Sequence, residues 1–158
     1  MAVTLPPFQS LLDAHGTELH RFLLATAGPG AAEDCLQETW ISALRAYPRL
    51  RDASNLRAWL FTIARRKVID HARAARRETM PGELPEAPAP EAPAPDDGLW
   101  AQVRTLPDKQ RTALALRYIL DAGYPEIAAA MGTSQDAARR SVHEGLKRLR
   151  KDLTDGSR

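Results

Sequence analysis

The chain has 158 residues, with 22 Lys and Arg against 20 Asp and Glu, and one cysteine, Cys35. That length fits one ordinary domain or two small ones. A lone cysteine excludes an intramolecular disulfide, and no apolar run approaches the roughly 20 residues that cross a bilayer. The first ten residues carry neither the basic start nor the apolar core of a signal peptide, so the expectation is a soluble cytoplasmic protein with no membrane insertion. The net charge of +2 conceals a segregation. Residues 78–98 hold six acids (Glu78, Glu83, Glu86, Glu91, Asp96 and Asp97) and no base, which leaves the remainder distinctly basic. A nucleic acid or another acidic surface is the partner class this favours.

In chain order, Phe8, Leu11, Leu12, His15, Leu19, Phe22 and Leu23 keep the i, i+3, i+4, i+7 rhythm of an amphipathic helix. Pro6 and Pro7 precede it, and Gly28, Pro29 and Gly30 end it. A second helix is expected over Ala31–Tyr47, with Glu33 and Asp34 at its positive end. Leu36, Trp40, Ala43 and Leu44 would face inward, and Pro48 closes the helix. Asn55 suits the N-cap of a long third helix, NLRAWLFTIARRKVIDHARAARR. Its apolar positions Leu56, Trp59, Leu60, Ile63, Ala64 and Ile69 point one way. Against them stand Arg57, Arg65, Arg66, Lys67, Arg73, Arg76 and Arg77 with one acid, Asp70, a pattern built to lie on a polyanion.

Six prolines between Pro81 and Pro95 rule out a helix in the acidic stretch and predict an extended tether, able to reach about 60 Å at ~3.1 Å per residue. Beyond it the pattern is helical again. Pro107 opens one helix and Asp121 to Gly123 break it. A short helix follows from Tyr124, with Pro125 in its first turn and Gly132 as its C-terminal cap. Thr133 to Asp136 have capping-box spacing and open the last helix, where Ala138, Val142, Leu146, Leu149 and Leu153 face inward. Gln135, Asp136, Arg139, Arg140 and His143 lie opposite, where a recognition helix meets base edges in the major groove. Lys147, Arg148, Arg150 and Lys151 suit phosphates. The fold class expected is all-α: two small helical domains joined by a Pro/Ala/acid-rich flexible linker, the C-terminal one with a helix-turn-helix.

The four histidines (His15, His20, His71, His143) are scattered, with no metal-ligand spacing, and no phosphate loop or acid–base cluster suggests catalysis. No metal, cofactor or enzymatic activity is expected. Cys35 reads as a small, partly buried residue.

The segments AEDCLQETWISALRAY and NLRAWLFTIARRKVIDHARAARR resemble the N-terminal domain of bacterial extracytoplasmic-function RNA polymerase sigma factors. LPDKQRTALALRY, YPEIAAAMG and the closing LKRLR resemble their C-terminal domain. The resemblance implies a subunit that joins core RNA polymerase and carries it to promoter DNA, with a domain over 8–78 for the −10 element, a linker over 79–98 and a domain over 99–153 for the −35 element. It implies polymerase binding by Asp34, Gln37 and Glu38. It places −10 contacts at Arg51, Ser54, Asn55, Arg57, Arg65, Arg66, Arg73, Arg76 and Arg77. The −35 contacts fall on Thr133, Ser134, Gln135, Asp136, Arg139, Arg140, His143 and Lys147. An anti-sigma factor is an expected partner, and the free protein is expected to be a monomer. The rival reading is a stand-alone helix-turn-helix regulator, although no heptad or other dimer helix accompanies it.

Overall fold

A computed structural model describes residues 3–78 and 97–156. The tether expected over 79–98 lies almost wholly outside them. Seven α-helices and no strand occur among the described residues. Helices α1 (Phe8–Ala27), α2 (Pro29–Ala46) and α3 (Leu56–Glu78) form the first unit, with a 3-10 turn at Tyr47–Arg49. Helices α4 (Asp97–Arg104), α5 (Asp108–Tyr118), α6 (Tyr124–Met131) and α7 (Gln135–Gly156) form the second.

The turn between α1 and α2 is tighter than the glycine–proline run suggests. Gly28 alone breaks the helix, at φ 89, and α2 starts at Pro29, whose missing N–H costs nothing in the first turn. Glu33 and Asp34 therefore sit beyond the first turn, where the helix dipole no longer accounts for them. At the head of α3, Asn55 Oδ1 accepts a 3.0 Å hydrogen bond from the Ala58 N–H, which is the expected N-cap.

The first core is built on Leu19, Phe22, Leu23, Leu60, Phe61 and Ala64, all essentially inaccessible. Phe22 and Phe61 meet edge to face at 5.3 Å between ring centroids, the arrangement aromatic quadrupoles favour. Trp59 is part-buried against Tyr47, their rings 6.1 Å apart, so it packs inside rather than offering a stacking platform. Cys35 is fully buried rather than partly so, and burial pushes its thiol up to about 11. A thiol held neutral and covered is inert chemistry. Two apolar residues expected inside are outside: Leu44 is 56% exposed and Leu153 48%. Leu44 turns to the solvent face of α2 that carries Asp34 and Glu38, next to the buried Ala43, and Leu153 lies in the last turn of α7.

In the second unit α7 crosses α5 at Gly145. A side chain there would meet Leu114 Cδ1 at 2.9 Å and Leu114 Cγ at 3.2 Å, and Leu114 is itself buried. Gly145→Val is expected to cost about 1–3 kcal/mol by overpacking, read as a lower urea midpoint. An unchanged midpoint would show that α5 and α7 are not clamped there.

The two units pack on each other as well. One apolar cluster runs through both, with Ala58 and Phe61 of α3 against Leu116, Leu120, Ala122 and Ala130. The space left among these residues is about 10 Å³, at most room for a single water.

Candidate nucleic-acid and partner-binding surfaces

Three polar surfaces emerge from this framework. The first lies on α2. Asp34, Gln37 and Glu38 are exposed and share one helix face at i, i+3 and i+4. One turn further, Ile41 is 50% exposed, and Leu44 follows at 56%. An acidic patch running into exposed isoleucine and leucine is the make-up of a protein-docking surface, an apolar centre with a charged rim. Ile41 and Leu44 were not among the residues expected here. Both continue the helix face of Asp34 and Glu38, but an apolar residue there reads as part of the docking surface only once the structure leaves it uncovered.

The second surface is the loop before α3 with the helix itself. Arg51, Asp52, Ser54 and Asn55 are exposed. Asp52 Oδ1 accepts from the Ser54 N–H at 2.9 Å, and hydrogen bonding by Ser54 lowers the Asp52 carboxyl below its usual range. Asn55 spends its side-chain oxygen on the cap, which leaves its amide N–H₂ as the group turned to solvent. Along α3 the arginines divide. Arg66, Arg73, Arg76 and Arg77 are exposed, on a stretch that runs toward the helix C-terminus. Arg57 and Arg65 are instead drawn against the second unit. Arg57 donates to Glu126 at 2.8 Å, to Glu18 at 2.7 Å and to the Leu120 carbonyl at 3.0 Å. Arg65 donates to Asp108 at 2.6 Å and to the Met131 carbonyl at 3.2 Å.

The third surface is the helix-turn-helix of α6 and α7. Gly132 takes the left-handed conformation, φ 63, that ends α6. The Thr133 N–H donates to Ala128 O at 3.0 Å, and Ser134 Oγ accepts from the Ala137 N–H at 3.1 Å. The turn is thus closed at both helix ends, and Ser134 is the residue that caps α7. Thr133, Ser134, Gln135, Asp136, Arg139, Arg140, His143 and Lys147 are all exposed on one side, while Ala138, Val142 and Leu149 are buried on the other. Arg139 stacks over the Tyr124 ring, 4.8 Å to its centroid, so the face is partly pre-ordered. Arg140 has no such anchor in the ring contacts and projects from the same turn.

No cluster of His, Cys, Asp and Glu able to hold a metal occurs among the described residues, and no described helix is long and apolar enough to cross a membrane. A capped helix-turn-helix, a cationic helix and a separate docking face together describe a nucleic-acid-binding protein that also grips a protein partner.

Comparison with known proteins narrows that class. Sigma-70 region 2 matches residues 11–78, which are α1 to α3, and Sigma-70 region 4 matches residues 97–149, which cover α4 to α6 and most of α7. The ECF RNA polymerase sigma factor ShbA of Streptomyces griseus is 37% identical over 134 residues, 75% of this chain and 69% of that protein. SigD of Mycobacterium tuberculosis is 34% identical over 134 residues, 78% of this chain, and the chain spans 63% of that protein's length. Among solved structures, RpoE of Bartonella quintana in complex with the anti-sigma factor NepR has a TM-score of 0.74 at 24% identity, covering 95% of this chain and 98% of that one. CnrH in complex with the cytosolic domain of CnrY has a TM-score of 0.71 at 24% identity, covering 96% and 89%. The chain belongs to the ECF RNA polymerase sigma factors. Sigma factors are non-enzymatic initiation factors that bind core RNA polymerase and promoter DNA.

Proposed function

We propose that this chain joins core RNA polymerase through α2 and directs it to promoters by reading two DNA elements, one with each unit. Asp34, Gln37 and Glu38 form the polymerase-docking face, and Ile41 and Leu44 supply its apolar part. The unit over 8–78 meets the −10 element. Arg51, Ser54 and Asn55 border a site for an extruded base, whose unstacking costs a few kcal/mol and must be repaid by polar edges and apolar walls. Arg66, Arg73, Arg76 and Arg77 hold the backbone of the separated strand, with Arg57 and Arg65 added once the units have parted.

The unit over 99–153 meets the −35 element in the major groove through Thr133, Ser134, Gln135, Asp136, Arg139, Arg140 and His143, and Lys147 meets phosphate. Residues 79–98 are the spacer between the two. Free in the cytoplasm the chain is a monomer, and an anti-sigma factor is its natural inhibitor. That last reading is supported by the solved relative whose partner is one.

The observation that carries the proposal is the presence of both sigma regions, in order, with Arg66, Arg73, Arg76 and Arg77 of α3 and the polar face of α7 turned to solvent. Size-exclusion chromatography of the purified chain with core polymerase tests it. Co-elution with the enzyme, together with weak binding to promoter duplex alone, is the expected result. Tight duplex binding without the enzyme would instead make it a stand-alone regulator.

A further inference from the structure

Arg57 and Arg65 occupy a place that the DNA-binding reading does not explain. Each guanidinium takes one carboxylate of the second unit and one main-chain carbonyl at a helix end of that unit. For Arg57 these are Glu126 and Leu120 O, just past the end of α5; for Arg65 they are Asp108 and Met131 O, the last residue of α6. The Met131 carbonyl, being helix-terminal, lacks a partner within α6 and carries the negative end of its dipole, while Leu120 O is a loop carbonyl beyond the cap of α5. A planar fork with five donors satisfies such a pair of acceptors at once, as a lysine cannot.

Between the two arginines the Thr62 hydroxyl shares its one proton between Ala58 O of its own helix at 2.8 Å and Ala130 O at 2.9 Å, so a third polar side chain of α3 touches α6. These are not surface ornaments. The Arg57 and Arg65 side chains are 25% and 19% exposed, over the apolar contact that leaves only about 10 Å³ free. Arg57 Nε is buried without an acceptor, which sets a limit on how firmly the contact holds and suits one that must open.

We propose that Arg57 and Arg65 form an ionic latch that closes the free chain, holding the helix-turn-helix unit over the face of α3 that carries them. One face of a helix cannot touch α6 and a DNA strand together. Closing therefore withdraws these two arginines from DNA and fixes the distance between the two reading heads without any inhibitor bound. Glu18, on α1, keeps its 2.7 Å contact to Arg57 from within the first unit and holds that side chain in place when the latch parts. The latch itself stands on the contacts above; its consequence for DNA rests on the reading that α3 meets the −10 strand.

Small-angle scattering of the full chain tests it. The wild type is expected near the radius of gyration of a compact 158-residue chain, about 15 Å. The double variant Asp108→Lys with Glu126→Lys, helical content unchanged by circular dichroism, is expected to rise by about 3 Å or more. Arg57→Glu should open the chain too, and adding Glu126→Arg should close it again; that rescue separates a latch from simple damage. Equal radii for wild type and both opened variants would overturn the proposal.

Binding of a single-stranded −10 oligonucleotide by Asp108→Asn with Glu126→Gln, which keeps both arginines, separates the two readings. Expansion with a gain of roughly tenfold in affinity supports both. Expansion with no gain upholds the latch and removes Arg57 and Arg65 from the DNA surface.

Discussion

Reversing charge on the α2 face, with Asp34→Lys and Glu38→Lys together, is expected to weaken binding to core RNA polymerase by about a hundredfold, or roughly 2.7 kcal/mol. Both side chains are exposed and neither is in the hydrogen bonds or ion pairs that hold the fold, so the melting temperature should stay where it is. The loss comes from two sources. Each acid gives up its attraction to a basic partner surface, and each new lysine adds repulsion. Ile41→Ser should add to the loss by removing apolar area from the centre of the patch, since Ile41 is already half exposed in the free chain. Surface plasmon resonance with immobilised core enzyme reads all three. Undiminished binding by the charge-reversed chain would place the docking face elsewhere.

On the DNA side the largest effect is expected at Arg140. An arginine that forks onto a guanine contributes about 1–3 kcal/mol of discrimination, so Arg140→Ala should lower −35-dependent initiation by about ten- to a hundredfold. Binding to core polymerase should not change. Arg139→Ala is a less clean probe, because that guanidinium also stacks on Tyr124 and its loss disturbs the packing beneath α7. The control is Lys147→Ala. A phosphate contact carries no base information, so its removal should weaken all promoters alike and flatten the salt dependence. Equal activity of Arg140→Ala on promoters with intact and scrambled −35 elements is the signature of lost readout. Wild-type activity on the intact promoter would show that α7 does not present Arg140 to bases.

Features governed by neighbours in the chain were legible in the sequence. The Asn55 cap, the left-handed Gly132, the short α6 and the exposed polar face of α7 all follow from residues within a few positions of one another. Helix boundaries were less so. Three residues of glycine and proline read as a break, whereas Gly28 alone makes the turn and Pro29 already belongs to α2. Leu153 fits an inward periodicity but lies outside, because a periodic stripe says which face is apolar and not how far along the helix the neighbouring element reaches; Leu44 stands at the margin of the α2 stripe and turns to the face of Asp34 and Glu38.

The division of the α3 arginines was illegible for a deeper reason. Arg57 and Arg65 look like their neighbours, and only partners 69 and 43 residues away set them apart. Pairing across such a separation is decided by how two units dock, which no local pattern encodes. The exposed face of α2 has the same character in part. Asp34 and Glu38 stand out by their charge, but Ile41 becomes informative only once the bundle is seen to leave it uncovered.

The measurement that bears most directly on the account is run-off transcription from genomic fragments, using purified core polymerase with and without this chain, followed by mapping of the 5′ ends. Addition of the chain should produce discrete transcripts whose start sites share a pair of upstream elements at constant spacing. RNA synthesis from random positions, equal in the two reactions, would contradict it.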